Sequence, residues 1–258
     1  MFELELSLLL ILGLAAFFAG YVDAVVGGGG LVQIPALLSA FPTTSPATLF
    51  GTNKLASIVG TTSAAIQYAR RVSIPWGLAL PGAVAALVGA WFGARAVAWL
   101  PSEIMRPLVL VLLIGVAIYT FVKKDLGAVQ GPRRSRNIEI PLAVAIGMVI
   151  GFYDGFFGPG TGSFLIFLFV RLLHLDFLHA SVTSKIVNVA TNFAALSFFA
   201  LNVEVLWKLG LFMAICNLTG AVVGSRTAIR RGASFVRTMF LAVVSVLVLK
   251  IFWDLVSA

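Results

Sequence analysis

The sequence is poor in charge. Of its 258 residues only 11% are charged, whereas 60% are hydrophobic, and the mean hydropathy is +1.05. A soluble domain carries about 25% charged residues, and a chain this apolar could not keep its surface wetted. The scarcity of charge therefore excludes an ordinary soluble domain and predicts a polytopic membrane protein.

Cysteine and histidine are also scarce. The single cysteine, Cys216, excludes an internal disulfide, and no Cys/His spacing suited to a metal ion exists. The two histidines, His174 and His179, lie near one short predicted loop, a placement more typical of a membrane interface than of a ligand set. We therefore expect neither a metal nor a cofactor.

Basic residues outnumber acidic ones, 18 to 10, which gives a formal charge of +8. The composition leaves no soluble domain to hold a nucleic acid. We therefore interpret the excess as loop charge that orients helices, and we expect no nucleic-acid partner. No basic region and no small-residue cleavage site precede Asp23, so residues 6–26 are predicted to be a retained helix rather than a signal peptide.

The chain matches itself at a constant offset of 131 residues. The matched pairs include acidic, basic and tryptophan residues: Gly20/Gly151, Asp23/Asp154, Gly27/Gly158, Gly29/Gly160, Thr52/Thr183, Lys54/Lys185, Trp76/Trp207, Gly89/Gly220, Gly93/Gly224, Arg95/Arg226 and Arg106/Arg237. Such matches are improbable in an apolar chain without duplication. The sequence predicts two tandem transmembrane repeats, 1–127 and 138–258, joined by a basic linker at 128–137.

Each predicted repeat contains five apolar segments. They are 6–26, 31–41, 47–69, 75–99 and 104–122 in the first half, and 139–157, 162–174, 180–201, 206–228 and 234–255 in the second. A full crossing needs about 20 helical residues, so 31–41 and 162–174 are too short. Because both follow glycine-rich stretches, we interpret them as broken or half helices. The predicted fold class is an all-α membrane bundle of two repeats.

Loop charge predicts the topology. Three basic clusters lie in predicted loops, at residues 70–71, 123–136 and 230–231. The loops at 100–103 and 202–205 contain Glu103 and Glu204 and no lysine or arginine. If the short segments cross, ten crossings follow, the halves are inverted and both termini lie outside. If they re-enter, eight crossings follow and the last basic cluster lies outside. The positive-inside rule favours inversion.

Ionisable residues inside the segments occur as matched pairs. Asp23 and Asp154 end the first helix of each half, and Lys54 and Lys185 lie within the third. A charge inside a membrane costs about 3 kcal/mol or more, so each is a functional candidate. The aspartates either fix the lysines, as buried pairs Asp23–Lys54 and Asp154–Lys185, or carry protons, and the sequence leaves both roles open.

The lysines and the glycine breaks predict an anion site between the halves. Half-helix N-termini near Leu31 and Ser163 would add partial positive charge. The predicted substrate-binding residues are polar or lie in the glycine breaks: Lys54, Lys185, Asn53, Thr52, Thr183, Ser184, Asn188, Gly29, Gly30, Gly160, Thr161, Gly162 and Ser163. No nucleotide-loop pattern surrounds either glycine stretch, so ATP binding is not expected.

Two further matched features have simpler interpretations. The G-x-x-x-G spacings that begin at Gly89 and Gly220 predict close helix packing. The arginines that follow, Arg95 and Arg226, lie toward helix ends and are expected to reach the membrane interface.

Four stretches carry a family resemblance: AGYVDAVVGGGGLVQIPALL, GTNKLASIVGTTSAA, GFYDGFFGPGTGSF and TSKIVNVATNFAAL. They resemble the sulfite exporter TauE/SafE family, over almost the whole chain, and most closely its bacterial branch of inner-membrane permeases. The family's glycine-rich motifs match Asp23–Gly30 and Asp154–Gly162, and its lysine-bearing helices match Lys54 and Lys185. The second half departs from the first at Pro159.

The resemblance implies a multi-pass protein of the bacterial inner membrane. It implies transport of sulfur-containing or organic anions, such as sulfite, sulfonates or sulfoacetate, often in the export direction. The family name is not read as sulfite specificity, because this branch has no settled substrate. Asn188 is a further departure in the second half, so the two half-sites need not be equal.

We therefore expect a secondary transporter of small anions and not an enzyme. An anion channel would use the same lysines and stays an alternative. An intramembrane enzyme is the weaker alternative, because no histidine lies near the matched pairs and no carboxylate dyad is spaced for catalysis. The expected partners are a small anion and the lipid bilayer, with a homo-oligomer left open.

Overall fold

The structure, a computed structural model, describes residues 5–256 except 102, 106, 109, 110, 113, 114 and 116–134; beyond residue 231, Phe235 is the one side chain described. The described part of the chain contains helices and connections and no strands. The bounded helices are α1 (Leu6–Val26), α2 (Gly30–Ala40), α3 (Pro46–Ala69), α4 (Trp76–Ala98), α5 (Arg136–Phe156), α6 (Thr161–Leu173), α7 (Phe177–Asn202) and α8 (Trp207–Val256). Segment 104–122 and linker 128–137 lie largely outside the described residues.

Five of the described helices are long and apolar enough to cross a membrane. They are α1, α4, α5, α7 and the Trp207–Arg231 part of α8. Helix α3 has 24 residues and is long enough, but it is rich in Thr, Ser and Asn. The predicted all-helical, multi-pass architecture is therefore confirmed at this level.

The predicted break between segments 206–228 and 234–255 is wrong. Helix α8 continues without interruption from Trp207 to Val256, over 50 residues. The connecting stretch contains one glycine, Gly232, and no proline, and a single glycine costs a helix only about 1 kcal/mol. Ten crossings require the chain to turn between these two segments, so the continuous helix α8 does not support that number of crossings.

The bundle is polar inside and apolar outside. Leu14 and Phe18 on α1 are more than half exposed, and so are Leu80 and Val84 on α4. By contrast, many polar side chains are buried, namely Gln33, Thr48, Thr52, Asn53, Lys54, Thr61, Glu139, Asp154, Thr161, Ser163, Ser181, Thr183, Ser184, Lys185, Asn188, Thr191, Asn192, Asn217 and Ser225. This arrangement suits a protein whose outer surface meets lipid.

Glycines allow the two tightest helix contacts, α1 with α8 and α4 with α5. A Cβ atom at Gly89 or Gly93 of α4 would overlap the main chain of α5, and one at Gly220 or Gly224 of α8 would overlap that of α1. The prediction that these spacings mark close helix packing is confirmed. The contacts join helices from opposite halves, so the halves are tied together through their first and fourth helices.

The short helices fold back along the helices before them. Helix α1 ends at Gly27, which adopts a left-handed conformation with φ of 80°. Helix α2 then returns, because Gly29 lies beside Asp23 while Leu37 packs with Leu12 near the start of α1. With 11 residues, α2 is about 16 Å long, roughly half of a hydrocarbon core.

One end of the bundle is strongly basic. Arg136 at the start of α5 lies against Gly77 at the start of α4, and Ser73 in the preceding connection hydrogen-bonds His179 at the start of α7. Ile229 of α8 packs in the same cluster as Val72. The described arginines near this end are Arg70, Arg71, Arg136, Arg171, Arg226, Arg230 and Arg231.

Candidate functional site

A small polar cavity lies where the two glycine breaks meet the middle helices. Its lining residues come from both halves: Asp23, Gly27, Gly30, Asn53, Lys54, Ser57, Thr61, Asp154, Gly158, Thr161, Gly162, Asn188 and Asn192. The volume open to the centre of a water molecule is about 20 Å³, enough for about one or two waters. The cavity is therefore small, with room for little more than water in this conformation.

Many residues in the wall of the cavity are related by the 131-residue offset of the sequence. Five pairs of lining residues are 131 positions apart: Asp23/Asp154, Gly27/Gly158, Gly30/Thr161, Ser57/Asn188 and Thr61/Asn192. The two halves thus contribute equivalent positions to one shared cavity.

An ion pair between the halves forms one side of the cavity. Lys54 of α3 donates from Nζ to Oδ2 of Asp154 at the end of α5, at 2.7 Å. Both side chains are almost fully buried, 4% and 3% exposed. Because each charge is compensated only by the other at this distance, removal of one would leave a buried, unpaired charge.

The equivalent lysine makes a different contact. Lys185 of α7 donates from Nζ to the main-chain carbonyl of Asp23 at 2.7 Å, and its ammonium lies 5.5 Å from the ring centre of Tyr68. The N–H of Gly27 binds the same carbonyl at 2.8 Å. Lys185 thus binds the C-terminal end of α1, where the helix dipole favours a cation.

These contacts correct the expected pairing within each half. The sequence suggested Asp23–Lys54 and Asp154–Lys185, whereas each lysine contacts the aspartate residue of the other half. The reason is the packing: α3 and α7 meet at the centre, and the ends of α1 and α5 reach them from opposite halves.

Asp23 lies in the wall of the cavity. Its Oδ2 accepts a hydrogen bond from the Thr61 hydroxyl at 3.0 Å, and the residue is only partly buried. Asp154 is buried and bound to an ammonium. The two aspartates are equivalent in sequence but not in environment.

Amide groups supply further polar atoms. Asn53 is 3% exposed, lines the cavity, and its Oδ1 is a buried atom without a hydrogen-bond partner. Asn192 donates to Asn188 Oδ1 at 3.4 Å, and Thr191 donates to the same oxygen at 3.2 Å. An unsatisfied buried amide is costly, so the Asn53 side chain is available for a water molecule or a ligand.

The two glycine breaks are bound to each other. The hydroxyl of Ser163 donates to the carbonyl of Val26 at 2.7 Å, and its N–H donates to Gly27 at 3.2 Å. Ser184 donates from its hydroxyl to Gly162 at 3.0 Å. These serines hold the breaks together and do not line the cavity.

The structure brings about half of the sequence-predicted site residues to the cavity. Those that line it are Asp23, Gly30, Asn53, Lys54, Asp154, Thr161, Gly162 and Asn188, and those that do not are Thr52, Thr183, Ser184, Lys185, Gly29, Gly160 and Ser163. Thr52 and Thr183 instead bind carbonyls one turn back in their own helices, at 2.8 and 2.7 Å.

Sequence reasoning left out five lining residues, namely Gly27, Ser57, Thr61, Gly158 and Asn192. The available signal was helical spacing. Ser57 and Thr61 follow Lys54 by three and seven residues, which places all three on one face of α3.

No cluster of three or more His, Cys, Asp or Glu residues that could hold a metal ion occurs in the part of the chain that the structure describes.

Comparison with known proteins gives a consistent result. The sulfite exporter TauE/SafE family model matches residues 12–251. The probable membrane transporter protein ORF9 of Sinorhizobium sp. is 37% identical over 253 residues, covering 98% of this chain and 95% of that protein. YfcA of Escherichia coli strain K12, also described as a probable membrane transporter protein, is 34% identical and covers 98% and 93%.

A probable membrane transporter protein of Haemophilus influenzae is 30% identical over 257 residues, covering 98% of this chain and 97% of its own length. No solved structure shows a significant match. The family match spans nearly the whole chain, and its relatives are named as membrane transporters. The chain therefore belongs to the TauE/SafE family and is a multi-pass membrane transporter.

Proposed function

We propose that this transporter is a secondary carrier of small anions, of the sulfur-containing or organic class, such as sulfite or a sulfonate. The observation that carries the proposal is the Lys54 ammonium in the wall of a small polar cavity lined by both halves. A lysine inside the membrane is maintained at considerable cost. The description of the matching family points to the same class of substrate.

The groups around Lys54 suit a small oxyanion. The Asn53, Asn188 and Asn192 amides and the Ser57 hydroxyl can donate hydrogen bonds into the cavity. Helices α2 and α6 begin at lining residues, Gly30 and Thr161, so each directs the positive end of its dipole at the cavity. We interpret α2 and α6 as half helices that serve this role. Lys185 adds positive charge from behind the Asp23 carbonyl.

We further propose that the two halves are inverted repeats. Within the first half, α3 runs parallel to α1, because Leu49 packs with Leu12 and the later Thr61 binds the later Asp23. The short connection at 70–75 then reverses the chain into α4. Helix α4 is therefore antiparallel to α1.

The contact between α4 and α5 relates the direction of the helices in the first half to that of the helices in the second half. Gly82 approaches Ala143, and further along Gly93 approaches Phe152, so the two helices run in the same direction. Helix α5, the first of its half, is then antiparallel to α1, the first of the other half. A second contact supports the same relation: Ser73 follows the end of α3, yet it binds His179 at the start of α7.

Inversion supports a carrier mechanism. Two inverted halves around one central cavity can exchange conformations, which opens the site first to one side and then to the other. The strongly basic end of the bundle would face the cytoplasm by the positive-inside rule.

Counterflow in proteoliposomes tests the carrier proposal. Purified protein is reconstituted, loaded with unlabelled sulfite, methanesulfonate or acetate, and exposed to the labelled anion at low concentration. A carrier gives transient accumulation that saturates with concentration. Flux without saturation or counterflow would favour the channel alternative, and absence of any anion flux or binding would overturn the anion proposal.

A further inference from the structure

We propose that Asp23 is the proton-binding site through which this transporter couples anion movement to a proton gradient, an inference that rests on the anion carrier function. The two aspartates at the cavity differ in the groups that their carboxylates contact and in their burial. Asp154 is bound by Lys54 at 2.7 Å and buried. Asp23 accepts from a neutral hydroxyl, that of Thr61, and is partly exposed.

The position of Lys185 is the second part of the argument. Its ammonium binds the main-chain carbonyl of Asp23, not the carboxylate. A proton can therefore join the Asp23 carboxylate without breaking a direct ion pair. At Asp154 the same proton would have to displace the Lys54 ammonium and leave that charge uncompensated.

Charge balance links the proton to the anion. With Lys54, Lys185, Asp23 and Asp154 all ionised, the four charges at the centre sum to zero. A monoanion would then be offset only by the partial charges of the α2 and α6 N-termini, in a poorly solvated site. When a proton from the aqueous side converts the Asp23 carboxylate to a neutral carboxyl, the sum becomes +1, which one monoanion cancels. Proton and anion binding therefore favour each other and travel together as a symport.

The surroundings of Asp23 contain few other titratable groups. Lys185 of α7 and Tyr68 of α3 are near it, and Lys54 and Asp154 share its cavity. On α2 its close neighbour is Gly29, and the α8 residues that pack against this part of α1 include Ala221, Gly224 and Ala228, none of which titrates. Among these groups Asp23 alone combines a carboxylate, an open cavity wall and no ammonium bound to its side chain.

Proton uptake on anion binding is the direct test. Purified protein in weakly buffered detergent solution receives methanesulfonate, a permanent monoanion, while a pH dye records protons and calorimetry records binding. The wild type should take up about one proton per anion, and its affinity should fall about tenfold per pH unit in the alkaline range. Asp23→Asn should bind with an affinity that no longer depends on pH and take up no proton.

Two variants complete the design. Asp176→Asn removes a carboxylate far from the cavity and should keep one proton per anion. Thr61→Val removes the hydroxyl that stabilises the charged Asp23 carboxylate. It should extend anion binding to higher pH, a readout that survives if Asp23→Asn does not fold.

The outcomes separate the two proposals. Anion binding by the wild type without proton uptake, or proton uptake that persists in Asp23→Asn, would overturn the coupling role and leave the carrier function intact. A Thr61→Val protein with an unshifted pH profile would also contradict it. A wild type that binds none of the tested anions would overturn both proposals.

Discussion

The two halves place the same charged residues at equivalent positions but give them different partners. Lys54 binds the carboxylate of Asp154, whereas Lys185 binds the main chain at Asp23, both at 2.7 Å. The 131-residue offset thus relates residues that reach the centre, but these residues form different contacts. In one half-site the carboxylate forms a buried ion pair, and in the other it accepts a hydrogen bond from the Thr61 hydroxyl.

This difference has a physical consequence for a carrier. Two identical buried ion pairs would resist protonation equally, because each carboxylate would first have to release its ammonium. In the proposed mechanism, the Lys54–Asp154 pair keeps its charges and the Asp23 carboxylate binds and releases the proton. Comparison of the two half-sites by mutation therefore tests the mechanism.

The largest difference in stability between the half-sites is expected when the Lys54–Asp154 ion pair is broken. Asp154→Asn leaves the Lys54 ammonium buried and unpaired, which should destabilise the protein by about 3–5 kcal/mol. Asp23→Asn removes a carboxylate whose described side-chain hydrogen bond is to one hydroxyl, together with the negative charge that faces Lys185, and should cost less, about 1–2 kcal/mol. Thermal unfolding of both variants in the same detergent measures the difference.

A double variant provides the control. Lys54→Met combined with Asp154→Asn removes both charges and should recover much of the stability lost in Asp154→Asn alone, because no uncompensated charge remains. Equal stability of Asp154→Asn and Asp23→Asn would contradict the proposed contrast between the half-sites.

The two lysines should differ in anion binding. Lys54→Met keeps the side-chain stem and removes a charge at the cavity wall, so affinity should fall by about 2–3 kcal/mol, roughly 30- to 150-fold. Lys185→Met should have a smaller effect, because Lys185 does not line the cavity. Arg95 is exposed and stacks on Trp99 at 4.7 Å, so Arg95→Met is the matched control and should bind normally. A larger loss in Lys185→Met would reverse the roles proposed for the lysines.

The halves should behave alike where helix packing is concerned. A methyl group at Gly93 of α4 or at Gly224 of α8 meets the main chain of the neighbouring helix. Gly93→Ala and Gly224→Ala should each cost about 1–3 kcal/mol through overpacking. Gly115 has nothing within 4 Å of an added Cβ, so Gly115→Ala should be neutral. Unequal losses at the two equivalent positions would show that packing, like charge, differs between the halves.

Much of this fold could be predicted from the lengths of the apolar segments and the positions of the glycines between them. The predicted segments 6–26 and 162–174 correspond closely to α1 and α6, because glycines end one helix and precede the other. The continuous α8 could not be predicted in this way, since a charged stretch was interpreted as a loop although only Gly232 weakens the helix there.

The sequence predicted which charged residues lie at the centre of the bundle but not which of them contact each other. The constant offset identified Asp23, Asp154, Lys54 and Lys185 as equivalent, yet an offset does not say whether a lysine meets the aspartate of its own half or of the other. That choice depends on how α3 and α7 pack at the interface between halves, which is a tertiary property. Thr61 was not among the predicted site residues, and its bond to Asp23 appeared only in three dimensions.

The smallest expected effect concerns the N-caps of the equivalent helices α3 and α7. Asp176 accepts hydrogen bonds from the N–H groups of Leu178 and His179 at 3.1 and 3.2 Å, whereas Ser45 makes no side-chain cap bond. Asp176→Ala should therefore cost about 1 kcal/mol, and Ser45→Ala close to nothing, as measured by thermal unfolding at neutral pH.

The cap should also depend on pH. Burial alone would raise the pKa of Asp176, but the bonds from the N–H and ring of His179, the charge of that ring and the N–H of Leu178 together lower it. A carboxylate with a lowered folded-state pKa stabilises the protein above its ordinary value, near 4, and loses that contribution as the pH falls through the lowered value. The gap in melting temperature between wild type and Asp176→Ala should be full at neutral pH and narrow below about pH 4, while the Ser45→Ala gap stays flat. A gap for Asp176→Ala that is unchanged in acid would mean that the carboxylate charge does not stabilise this cap.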